Sequence, residues 1–114
     1  MSAHRVWSDL VDVFPAKVDP GDAGTIYADR FFNFVDLTTA AAETRTMAAA
    51  DRPCFMVLRL ATHVGDCVVG FEGAINQASD IQATFDTAGD LLVLVAMPNL
   101  GGWRLLVNDG CALA

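Results

Sequence analysis

The sequence predicts an all-β domain, a compact antiparallel sandwich or barrel with an N-terminal arm. Three observations carry this. Apolar and polar residues alternate in several stretches of strand length, which is the pattern of a half-buried strand. Turn residues recur about every eight to twelve positions, as in sandwiches and barrels. The chain has 114 residues, enough for one domain with one core.

The arm is Met1–Val18, and the β-domain is Asp19–Ala114. Within the arm, Trp7, Leu10, Val11 and Phe14 fall at i, i+3, i+4 and i+7, one face of a short helix. Ser8 or Asp9 helps start it, and Pro15 ends it by removing a backbone donor. A helix this short does not hold itself folded in water, so the segment packs on its own body or on a neighbour. These four side chains are the candidate partner-binding residues, and the arm is expected to reach beyond its own domain.

In the body, Asp19-Pro20-Gly21-Asp22-Ala23-Gly24 is a turn cluster. Ile26–Tyr27 and Phe31–Leu37 follow as strands rich in aromatic and β-branched residues. Cys54–Ala61 places Cys54, Met56, Leu58 and Leu60 on one wholly apolar face. A turn at His63–Asp66 leads to Cys67, Val69 and Phe71. Ile81, Ala83, Phe85 and Thr87 are expected to face inward, with Gln82, Thr84 and Asp86 outward. Leu91–Met97 is a continuous apolar run, bounded by Gly89-Asp90 and by Pro98–Gly102. Trp103, Leu105 and Val107 alternate with Arg104, Leu106 and Asn108, and Asn108-Asp109-Gly110 turns the chain into Cys111–Leu113. The expected core comprises Leu58, Leu60, Val69, Phe71, Ile81, Phe85, Leu92, Leu94, Trp103, Leu105 and Val107. Thr38–Ala50 is ambiguous. Its two alanine triplets have helix propensity, yet Thr44–Met47 reads equally as a strand.

Composition narrows the function. Apolar residues make up 54% of the chain, but no run approaches the roughly 18 residues of a membrane span, so no membrane partner is expected. The formal charge is −7 and the seven basic residues are scattered, which argues against direct contact with nucleic acid. Met1–Arg5 does not open a secretory signal, so synthesis is expected in a cytoplasm with Cys54, Cys67 and Cys111 reduced.

No catalytic, cofactor or metal site is expected. The three cysteines form no CxxC pair, and no nucleophile elbow or phosphate loop occurs. Three weaker candidates are Cys67 with His63 as a thiol–imidazole pair, Glu43, Glu72 and several aspartates as a source of paired carboxylates that no spacing singles out, and Asp19 with Asp22 (Asp9 and Asp12 upstream) as an oxygen-rich turn for calcium. Each has a simpler reading, as an inert thiol, solvated acids and turn aspartates. Trp103 after Gly101-Gly102 is either a stacking platform for sugar or, more in keeping with a small β-domain, a core anchor.

Gly89-Asp90-Leu91-Leu92-Val93-Leu94-Val95, followed by Gly102-Trp103-Arg104-Leu105-Leu106-Val107-Asn108-Asp109-Gly110, resembles the C-terminal half of small β-rich phage virion proteins, the capsid decoration, cement or head-associated proteins. The resemblance extends over about residues 19–113, with Thr44-Arg45-Thr46-Met47 matching one of their strands. It implies that Thr44–Met47 is a strand. It also implies a non-enzymatic structural protein on the outer capsid surface, bound to the major capsid protein and assembled with itself, most often as a homotrimer. A tail, fibre or adaptor component and a glycan-recognition module using Trp103, Tyr27 or the Asn99–Gly102 loop are the alternatives.

Overall fold

A computed structural model describes residues 16–77, 80–100 and 102–114, without the side chains of Gln77 and Leu100. Trp7, Leu10, Val11 and Phe14 lie outside the described residues. Nine strands form among the described residues: β1 Gly24–Ile26, β2 Phe32–Thr38, β3 Glu43–Met47, β4 Cys54–Thr62, β5 Cys67–Phe71, β6 Gln82–Phe85, β7 Leu91–Met97, β8 Gly102–Asp109 and β9 Ala112–Leu113. The only helical elements among the described residues are the 3₁₀ turns Ile75–Gln77 and Pro98–Leu100. The alanine-flanked segment is a strand, as the resemblance implies.

The strands make two layers, a five-stranded sheet in the order β1-β3-β5-β6-β9 and a four-stranded sheet in the order β2-β4-β7-β8. This is a sandwich with open edges, not a closed barrel. It is also mixed, not antiparallel: β1–β3, β3–β5 and β2–β4 pair in parallel, and the other pairings are antiparallel. The reason lies in the connections. From β1 to β5 successive strands alternate between the layers, through residues 27–31, 39–42, 48–53 and 63–66. Four extended residues span about 14 Å, more than the roughly 10 Å between packed sheets. Loops of hairpin length therefore cross the sandwich, and each strand comes to lie parallel to the last but one.

The core fills the space between the layers. Cys54, Met56, Leu58 and Leu60 of β4 face Met47, Cys67, Val69 and Phe85 of the other sheet within one buried cluster, joined by Leu92, Leu94 and Trp103. Two expected core residues are misplaced. Ile81 is 55% exposed, because β6 begins only at Gln82 and the Ile81 backbone closes onto Ala114 and Phe71. Val107 is 45% exposed, because a register shift between Val93 and Leu94 pairs it with outward-facing Val93.

Arg45 closes one end of the core. Its position on β3 has the inward parity of Met47, so its guanidinium is buried. Nε donates to Asp19 Oδ1 at 2.8 Å and Nη2 to Asp19 Oδ2 at 3.0 Å. Further bonds run to the Thr38 and Thr44 carbonyls, and Glu43 Oε1 lies 3.0 Å from Nη2. The charge is thus both paired and hydrogen-bonded, the condition for tolerating it in a core.

Candidate functional site

Strand register defines the two outer faces, and they differ in chemistry. On the five-stranded sheet, one outward row runs Thr25, Thr46, Gly70, Gln82 and the next Thr44, Val68, Thr84, Ala112. Hydroxyls and an amide dominate, as on a solvated face. On the four-stranded sheet, one row runs Phe34, Val57, Val93, Val107 and the next Phe32, Phe55, Val95, Arg104. A third row, Asp36, Arg59, Leu91, Asp109, borders them, with Arg59 Nε donating to Asp36 Oδ1 at 2.7 Å. The Phe55 ring meets Phe31 edge-on at 5.5 Å and Phe32 at 6.3 Å. The two rows are apolar in composition, but Phe34 and Val57 are buried and among their apolar side chains Val107 alone is open.

Exposure along the first row is uneven. Phe34 is 3% and Val57 4% exposed although neither belongs to the interior cluster, Val93 is half-buried, and Val107 is open. Beside Phe34, Lys17 forms a parallel bridge to Val35, its N–H donating to the Phe34 carbonyl at 2.7 Å. The Lys17 ammonium reaches the Tyr27 carbonyl and Asp29, holding the Asp29 carboxyl below its ordinary value. At the opposite edge, Leu106 and Val107 of β8 are both exposed.

The weaker chemical candidates are accounted for by structural bonds. Burial alone would raise the Asp19 carboxyl. Hydrogen bonds from Arg45 and from the Thr38 and Gly21 N–H groups outweigh it and hold the group below 3.8. Asp22 Oδ1 accepts from the Thr44 N–H at 3.0 Å, so both turn aspartates fasten backbone. No group of three or more metal-ligating side chains occurs among the described residues. Glu43 bonds Arg45 at one end of β3, whereas Glu72 follows β5 at the other end of that strand pair. Burial pushes the Cys67 thiol up to about 11, and the His63 ring bonds Asp66 at 3.0 Å. Trp103 is 2% exposed and belongs to the core, so it is no stacking platform.

Three clefts among the described residues are small. One of about 50 Å³ lies beside Trp103, one of about 160 Å³ is lined by Pro53, Met97, Pro98 and Asn99, and one of about 200 Å³ is lined by Tyr27, Asp29, Asp51 and Arg52 among others. Each is below the roughly 300 Å³ at which small-molecule sites begin. No family model matches the sequence, no curated protein matches it, and no solved structure matches its fold.

The buried Arg45–Asp19 pair is a feature that sequence reading missed. Arg45 carries a usable signal, since it shares strand parity with apolar Met47. The apolar outer rows are legible in part, because Phe55 and Val57 make the second face of Cys54–Ala61 apolar, but their continuation depends on which strands become neighbours.

Proposed function

We propose that this protein is a non-enzymatic virion structural protein, a capsid decoration or cement protein that binds the major capsid protein on the outer shell and assembles with itself as a homotrimer. The observation that carries the reading is the exposed apolar edge of β8. An edge strand presents unpaired backbone and, where apolar, invites pairing or packing with another chain. Leu106 and Val107 lie on that edge, in a segment that carries the resemblance to phage head proteins. The two resembling segments are also one structural unit. β7 and β8 pair as a hairpin, and the Gly-Asp before it packs on the Asp-Gly after it through Asp90 and Gly110. A net charge of −7 favours solubility and keeps a displayed subunit off nucleic acid.

The experiment is localisation by electron microscopy, in purified virions carrying the protein with a gold-labelled terminus. Labels at regular positions over the head shell are expected, with Leu106→Asp plus Val107→Asp lowering occupancy. Labels confined to the tail favour the adaptor or fibre alternative, and particles without label overturn the virion assignment.

A further inference from the structure

We propose that the cleft between loops 27–31 and 48–53 binds an uncharged sugar ring, the exposed residue of a glycan, with the Tyr27 ring as its platform. Such a site requires no place in a virion.

Topology builds the cleft. β1 pairs with β3 and β2 with β4, both in parallel, so the crossings from β1 to β2 and from β3 to β4 run side by side at one end of the sandwich. Both loops are fixed. The Ala48 N–H donates to the Ile26 carbonyl at 3.0 Å where they begin, and the Phe55 N–H to the Phe31 carbonyl at 2.7 Å where they end. Asn33 clamps the first loop. Its Oδ1 accepts from the Arg30 N–H at 3.2 Å, and its Nδ2 donates to the Arg30 and Phe55 carbonyls at 2.8 and 2.9 Å. Ala28 belongs to the core cluster, and Lys17 Nζ donates to the Tyr27 carbonyl. A backbone tied at this many points loses little freedom on binding.

This fixed loop carries two aromatic rings in solvent. Tyr27 is 62% and Phe31 68% exposed. Rings held out on rigid backbone add little to the core, yet they supply contact area at low entropic cost. Trp103, the other aromatic that the sequence offers for a sugar, is buried. Tyr27 lines the cleft together with Asp29, Asp51 and Arg52.

Charge selects the ligand. Asp29 is paired with Lys17, and Asp51 with Arg52. A cationic ligand therefore meets no uncompensated carboxylate, and an anionic one meets a chain of net charge −7. A lipid tail needs a continuous apolar wall, which the three charged side chains interrupt. An uncharged ring with an apolar face and a hydroxyl rim satisfies all of these conditions. Its C–H face rests on Tyr27, while neighbouring hydroxyls donate to a carboxylate and accept from the guanidinium. The cleft, about 200 Å³, is too small to enclose a whole ligand and suits the single ring at the end of a glycan chain.

Tyr27 is the only tyrosine of the chain, so NMR of the full-length, tyrosine-labelled protein follows its ring alone. The probes are the methyl pyranosides of glucose, galactose, mannose and N-acetylglucosamine, with sorbitol as an open-chain control. At least one pyranoside is expected to shift the ring signals saturably, with a Kd on the order of 1 mM, and sorbitol is not. Asp51→Ala plus Arg52→Ala is expected to weaken that binding about tenfold, the effect of losing one or two hydrogen bonds, with the β-sheet circular dichroism retained. No saturable shift with any pyranoside overturns the proposal. So does a shift that sorbitol reproduces, or one that the double variant leaves unchanged, since either is unspecific contact with an exposed ring.

Discussion

Asp90 and Gly110 are locked together across the end of the β7–β8 hairpin. The Asp90 Oδ2 atom accepts the N–H groups of Asp86 and Thr87 at 3.0 and 3.1 Å, so the carboxylate folds back over the turn before β7. A Cβ on Gly110 would lie 2.2 Å from Asp90 Oδ1, and Gly110 has φ +98°, a conformation that side chains rarely adopt. The two dipeptides that punctuate the sequence here, Gly89-Asp90 and Asp109-Gly110, are thus one packed corner.

Gly110→Ala is expected to destabilise the domain by about 2 kcal/mol, from strain at positive φ together with the clash. In an Asp90→Ala background the clash disappears and only the strain remains. The same substitution there should cost at least about 0.5 kcal/mol less, a coupling that urea unfolding of the four proteins measures. Strict additivity would show that the two residues do not touch.

Removing one partner of the Arg45–Asp19 pair leaves a buried charge short of its counter-ion. Asp19→Asn is expected to cost about 3 kcal/mol, the low end for broken buried pairs because Glu43 remains beside the guanidinium. Chemical denaturation at neutral pH tests this, and a loss below about 1 kcal/mol would place the pair among surface salt bridges.

The same carboxylate sets a pH dependence. Its folded pKa lies below 3.8, so the unfolded chain takes up a proton at higher pH than the native chain does. The stabilisation from this group is present in full above about pH 4 and is lost as pH falls through the folded value. Stability of the wild type should therefore fall more steeply below pH 4 than that of Asp19→Asn, as parallel melts across that range would read.

How legible this fold is in the sequence depends on the range of the interaction. The inward parity of Cys54, Met56, Leu58 and Leu60 is a local property of one strand, and all four are buried. Strand direction is not local. Loops such as 39–42 have hairpin length yet cross between sheets, and nothing in their residues states which layer the next strand joins. Ile81 illustrates the limit from the other side. It continues the alternation of Ala83 and Phe85, but the strand starts one residue later and leaves it exposed. For the candidate site, the four arm residues are readable as a stripe from sequence and lie outside the described residues, whereas the apolar outer rows emerge only when β2, β4, β7 and β8 become neighbours.

That difference is measurable within one segment. Phe85 is completely buried and Ile81 is not. Phe85→Ala should cost about 3–5 kcal/mol, the transfer and cavity cost of a buried ring. Ile81→Ala should cost under about 0.5 kcal/mol, as for an ordinary surface site. Equal losses in denaturant melts would restore the simple alternation that places both side chains in the core.

The cysteines give a prediction about reactivity. Burial raises all three thiols, Cys67 to about 11 and Cys111 to about 12. Only the thiolate attacks a disulfide reagent, and at pH 8 these groups are almost wholly protonated as well as shielded. In the native protein all three should react far more slowly than a free thiol, and denaturant should release them to the ordinary rate. Titration with an aromatic disulfide reagent, with and without denaturant, follows this directly. The native rate should also track global stability. Exposing Cys67 requires the five-stranded sheet to separate from the four-stranded one, since its side chain is completely buried in the cluster between them although it begins β5, paired with Glu43 and Phe85. Asp19→Asn should therefore speed labelling at Cys67 by the factor that matches its loss of stability, about a hundredfold for 3 kcal/mol. A Cys67 that labels rapidly in the wild type would mean that the layers part by a local opening, without crossing the full unfolding barrier.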